Sequence, residues 1–140
     1  MSQQDKLKNF VLEQFSDIVD QYSFSTPAIG EEKAMTRIDY LGTNLAIELE
    51  LDWREFDIYV LIVRLEDGKL PKGYYVSNGK KCRKHFVNIV REQGWSLGNF
   101  KISKKIRREE NDFKQDLVAH KALLLSHMNE LLDTGESLFA

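Results

Sequence analysis

The sequence predicts an α+β fold: an N-terminal helix, an antiparallel β-meander of three to four strands, then two helices packed on the apolar face of the sheet, the last one long. Three observations lead there. An apolar stripe of helical period fills the first 22 residues, strict alternation takes over at Met35, and helical spacing returns after Ser77. The chain of 140 residues, 42% hydrophobic and 30% charged, is the size of one domain with a sizeable core, so residues 1–140 are read as one unit. Residues 134–140 read as a flexible tail.

Leu7, Phe10, Val11, Phe15, Ile18, Val19 and Tyr22 repeat at helical spacing, which predicts an amphipathic helix over residues 4–22. Thr26-Pro27 and Gly30 break the pattern and mark residues 23–34 as a connection with room for a short extended piece. Strands follow at 35–41, 44–53 and 56–66. A two-residue turn at Gly42-Thr43 would set Tyr40 opposite Leu45, Ile38 opposite Ile47 and Arg37 opposite Glu48. A second turn at Arg54-Glu55 sets Leu51 opposite Ile58 and Leu49 opposite Val60. Both registers bury the same face, and a slip of one residue in either would expose it. Leu61, Val63 and Leu65 fall on the other face, so that end of the sheet needs a cover, for which residues 73–77 are the local candidate. Ser77-Asn78-Gly79 then offers a cap for a helix of about four turns closed by Gly94. Ser103 can start a final helix running to Asp133, which at about 1.5 Å per residue reaches roughly 45 Å. That length outruns the sheet, so its overhang, with Leu131 and Leu132, predicts a homodimer.

The net charge of −2 conceals segregation: 5 Lys/Arg against 12 Asp/Glu in residues 1–63, 13 against 3 in 64–108, and 2 against 7 in 109–140. Either a charged partner or mutual pairing of the blocks within the fold would answer it. The acids concentrate where the meander puts Glu48, Glu50, Asp52 and Asp57 on the face opposite the core, with Tyr59 opposite Glu50. Like charges opposed across a ladder are unfavourable unless water, a cation or a basic partner meets them. Three readings follow: an acidic surface for a basic protein, the wet side of an ordinary sheet, or a carboxylate cluster of a metal-dependent nuclease. The nuclease pattern of Asp, then Asp/Glu-X-Lys, fails here because Glu50 stands at the lysine position.

Lys80, Lys81, Arg83 and Lys84 would open the second helix, where the macrodipole favours anions, so these cations predict a phosphate or nucleic-acid contact. The stretch GYYVSNGKK misses the phosphate-loop spacing and lacks the Ser/Thr that holds Mg²⁺. Lys101, Lys104, Lys105, Arg107 and Arg108 form a second basic group, with Tyr74, Tyr75 or Trp95 available to stack on bases. Cys82-X-X-His85 lacks the second pair that would make a zinc site, and His120 and His127 lie about 10 Å apart on a helix. No metal or cofactor is therefore expected. The lone Cys82, an N-terminus without an apolar leader and the lack of a long apolar run predict a cytoplasmic protein with no membrane partner. The leading functional expectation is a non-enzymatic binding protein, such as a small immunity or inhibitor protein of bacterial type, with another protein as partner. Nucleic-acid or phosphate binding and a nuclease-like activity are the alternatives.

Overall fold

The computed structural model describes residues 2–103 and 105–140. Lys104, counted above in the second basic group, lies outside the described residues. The elements in chain order are α1 (Gln3–Tyr22), β1 (Ala28–Glu32), β2 (Met35–Leu41), β3 (Leu45–Asp52), β4 (Asp57–Arg64), β5 (Val76–Ser77), β6 (Lys80–Lys81), β7 (Arg83–His85), α2 (Phe86–Gln93), α3 (Glu110–Ser126) and α4 (Met128–Thr134), with a closing 3₁₀ turn, Gly135–Phe139. The main sheet is antiparallel in the order β1-β2-β3-β4-β7, and β5-β6 form a separate small hairpin. The fold is α+β, with the helices packed on the apolar face. Among the described residues, no helix is long and apolar enough to cross a membrane.

The N-terminal helix forms as its pattern predicts. Ser2 caps it by accepting from the Asp5 N–H, and Leu7, Val11, Phe15 and Ile18 point one stripe into the core. That stripe meets Ile38, Tyr40, Ile47, Leu49, Leu51 and Val60 from the sheet, together with Phe86, Ile89, Phe113, Leu117 and Leu124 from the later helices. The β3–β4 register follows the reading above, with Leu51 opposite Ile58 and Asp52 opposite Asp57. The β2–β3 register differs by two residues: Tyr40 lies opposite Ile47, and Arg37 opposite Glu50. Its turn spans four residues, closed by the Gly42 N–H donating to the Leu45 carbonyl. A Cβ at residue 42 would lie 2.8 Å from that carbonyl oxygen and 2.9 Å from the Phe24 ring, so the turn needs glycine there. A slip of two keeps every side chain on its face, which is why the buried set is unchanged.

The expected cover over the far end of β4 is present. Ala46, Val63 and Leu65 form a second small cluster with Leu41 and Leu70. The fourth partner in the sheet, however, is β7 rather than residues 73–77.

Three expectations about the second half are corrected. Residues 80–85 are extended, and α2 begins only at Phe86, because Arg83–His85 pairs with Leu61–Val63 of β4. The final helical stretch starts later than expected and is interrupted, running as Glu110–Ser126 and Met128–Thr134 rather than as one helix from Ser103 to Asp133. Residues 105–109 are not helical, and Arg108 among them donates to the Phe56 and Ser103 carbonyls and pairs with Asp116. A capping box between Glu109 and Asp112 then starts α3, and the helix breaks at His127, whose ring nitrogens face the Ser96 carbonyl at 2.6 Å and the Glu130 carboxylate at 2.7 Å. Residues 134–140 are no loose tail either, since Leu138 and Phe139 are buried in the main core. Of the two residues placed on the overhang that predicted a homodimer, Leu131 is buried in the core and Leu132 is 44% exposed.

Candidate functional site

The side of the sheet away from the helices carries two polar layers. The lower one is a buried knot. Glu48 is 0% exposed and Glu50 6%, so neither lies on the open acidic surface expected of them. The reason is that each has a cation. Arg83, reaching across from β7, grips Glu48 with two hydrogen bonds, Nε to Oε1 at 2.8 Å and Nη2 to Oε2 at 3.0 Å. Arg37 on β2 pairs with Glu50 at 3.1 Å. A buried carboxylate needs such bidentate or multiple partners to offset its lost hydration. The remaining Arg83 nitrogen donates to the carbonyls of Gly73 at 3.0 Å and Tyr74 at 2.8 Å, which draws residues 73–75 over the acids as a lid.

Asp39 completes the knot as the cross-strand partner of Glu48. Burial, a hydrogen bond with Glu48 and the charge of Glu48 push the Asp39 carboxyl up to about 8, so it carries a proton at neutral pH. Burial acts the same way on Glu48, but the Arg83 hydrogen bonds, the one with Asp39 and the two nearby guanidiniums outweigh it and lower its pKa. One charged and one neutral carboxyl thus share the site with Arg83.

The upper layer is aromatic. Tyr74 donates to Glu50 at 2.6 Å, with the Arg83 guanidinium 4.7 Å from its ring centroid. Tyr75 packs edge-on against Tyr74 at 4.5 Å and shares a 3.2 Å hydrogen bond with Nε2 of His85. Tyr59 meets the His85 ring edge-on at 5.9 Å and donates to Asp57 at 3.1 Å. Tyr59, Tyr74 and Tyr75 remain 37%, 36% and 50% exposed. Asp52, opposite Asp57, uses one oxygen to accept from the Arg54 and Glu55 N–H groups, so it also shapes the β3–β4 turn. Of the five residues expected on the acidic face, Asp52, Asp57 and Tyr59 reach its solvent side, whereas Glu48 and Glu50 support it from beneath.

The cations expected at a helix start are dispersed by the strands that hold them. Lys80 and Lys81 are exposed on the β5–β6 hairpin, Arg83 is buried in the knot, and Lys84 points to the helix side, pairing with Glu92 at 3.2 Å. In the second basic group, Lys105 pairs with Asp112 and Arg108 with Asp116. Cys82 is buried, its thiol donating to the Tyr74 carbonyl at 3.0 Å, and burial raises its pKa. Among the described residues, no three metal-binding side chains converge.

Sequence reasoning set Arg37 opposite Glu48 rather than Glu50, and missed Arg83 as a partner of the acids and Tyr74, Tyr75 and His85 as one aromatic group. The pairing of Arg37 with an acid was readable from the hairpin, since it meets one in either register. Arg83 comes from 35 residues away, and nothing local announces it. Comparison with known proteins leaves these residues to speak for themselves: no family model, no curated protein and no solved structure matches the chain.

Proposed function

We propose that this chain is a non-enzymatic, cytoplasmic binding protein that engages another protein through the aromatic face of its sheet. Tyr59, Tyr74 and Tyr75 are the anchors, His85 joins them, and Asp52 and Asp57 give the adjoining edge the negative charge that suits a basic partner. One observation carries the reading: all three tyrosines are exposed by more than a third, yet each hydroxyl is hydrogen-bonded and each ring is wedged against a neighbouring ring or guanidinium. Tyrosines held in this way lose little further conformational freedom on binding, and tyrosine is enriched among the residues that dominate interface energies. The buried knot supports the reading, because it fixes the platform from below. An inhibitor or immunity protein that covers a basic toxin is the form of this function that charge and size favour.

The test uses the full chain and a Tyr59→Ala/Tyr75→Ala variant as paired baits in a native lysate. A protein retained by the wild type should be lost by roughly 30-fold or more in the variant, the loss expected for interface anchors of about 2 kcal/mol. Equal retention of every captured protein by two equally folded baits would remove the proposal.

A further inference from the structure

A groove of about 870 Å³ runs beside β4, between α2 and the segment that leads to α3. It exists because β7 pairs with only Leu61–Val63 before the chain turns into α2, leaving residues 57–60 of β4 with a strand on one side alone. Ile58 and Val60 line the sheet wall, and Leu97, Phe100 and Ile102 are also among its lining residues. Its size lies within the range of small-molecule sites, roughly 300–1,000 Å³, which are mostly apolar with a few convergent polar groups.

Two features say what such a ligand carries. Arg91 and Lys101 also line the groove and are exposed, and neither side chain has an ion-pair or hydrogen-bond partner among the described residues. His120 lines it too, is only 7% exposed, and has no hydrogen-bond partner for Nδ1, its ring lying 5.1 Å from that of Phe100. Burial pushes the His120 pKa down to about 4, so at neutral pH the ring is uncharged and offers one donor and one acceptor. The groove's acid, Asp57, is occupied by the Ile58 N–H and the Tyr59 hydroxyl. Buried imidazoles are ordinarily satisfied, and cations over apolar walls attract an anion with an apolar body.

We propose that this groove binds a small amphipathic carboxylate, its apolar body against Ile58, Val60, Leu97 and Phe100 and its charge drawn by Arg91 and Lys101. The site does not rest on the protein-binding function proposed above, although Tyr59 and His85 border both. Octanoate is the probe and octan-1-ol its neutral counterpart, each titrated into the full chain while amide and imidazole resonances are followed by NMR. Octanoate should saturate, move the His120 ring signals and the amides of residues 58–60 and 97–102, and bind at least about tenfold more tightly than octanol. An Arg91→Glu/Lys101→Glu variant, altered only at exposed positions, should lose about tenfold or more for octanoate and keep its weak affinity for octanol. Shifts scattered over the surface, equal binding of the two probes, or indifference to the charge reversal would each overturn the proposal.

Discussion

At the scale of single residues, the acids of the meander have been turned from surface into structure. Arg83 is the residue on which this depends, since Glu48 is 0% exposed and Arg83 donates to both of its oxygens. Arg83→Ala should cost about 3–5 kcal/mol, the range for stranding one member of a buried pair. Combining Arg83→Met with Glu48→Leu should recover more than half of that loss, because apolar replacement of both partners removes the unpaired charge. Thermal denaturation of the three proteins checks both statements, and a loss below about 1 kcal/mol for Arg83→Ala would mean that water reaches Glu48. Asp39 makes a prediction about pH. In the fold its carboxyl keeps the proton up to about 8, whereas an unfolded aspartic acid releases it near pH ~4. Below about 4 both states are protonated and the contribution to stability is complete. As pH rises from there, only the unfolded state gives up its proton, so the contribution declines and is lost above about 8. Asp39→Asn, which keeps a donor for Glu48 but has no proton to lose, should gain in urea midpoint relative to wild type between pH 5 and pH 8. Parallel midpoints would mean that Asp39 is ionised in the fold. His120, whose lowered pKa removes stability as pH falls from about 6.5 to about 4, is common to both proteins and cancels in the comparison.

At the scale of elements, what was legible in the sequence is what local forces decide. The α1 stripe, the alternation of β2 to β4 and the Gly94 stop are each set by residues within a turn or two of one another. The missed elements were decided from a distance. Residues 80–85 are rich in Lys and Arg, good helix formers, and continue the spacing of Cys82 into Phe86, yet Lys80–Lys81 pair with β5 and Arg83–His85 with β4, which delivers Arg83 to Glu48. The break at His127 has the same origin, since its imidazole is held by Ser96 and by stacking 5.4 Å from Trp95, a loop 31 residues earlier. The end of the chain was misread because SLF is too short to show a period. Truncation after Thr134 removes Leu138 and Phe139 from the core and should cost about 3–5 kcal/mol, lowering Tm by on the order of 10 °C. A truncated protein that melts with the full chain would return those residues to the status of a tail.

At the scale of the whole molecule, the segregated charges answer one another in part inside the fold. The acidic first block meets the basic second block at Glu48 and Arg83, and the second meets the acidic third at Arg108 and Asp116 and at Lys105 and Asp112. Lys80, Lys81, Arg91 and Lys101 stay exposed outside these pairs. The apolar surface of the last two helices does not demand a second copy. Leu131, Leu138 and Phe139 are buried together, Leu125 packs against the core, and on α3 and α4 only Val118 and Leu132 remain as exposed large apolar side chains. Isolated side chains of this kind are ordinary on a monomer's surface, whereas a stable dimer buries on the order of 1,200–2,000 Å² around a contiguous apolar centre. The chain should therefore sediment at micromolar concentration with a mass near 16.3 kDa. Val118→Glu/Leu132→Glu should leave that mass unchanged, because neither side chain is covered. A mass near twice the chain's, reduced by those two substitutions, would place a second copy on α3 and α4 after all.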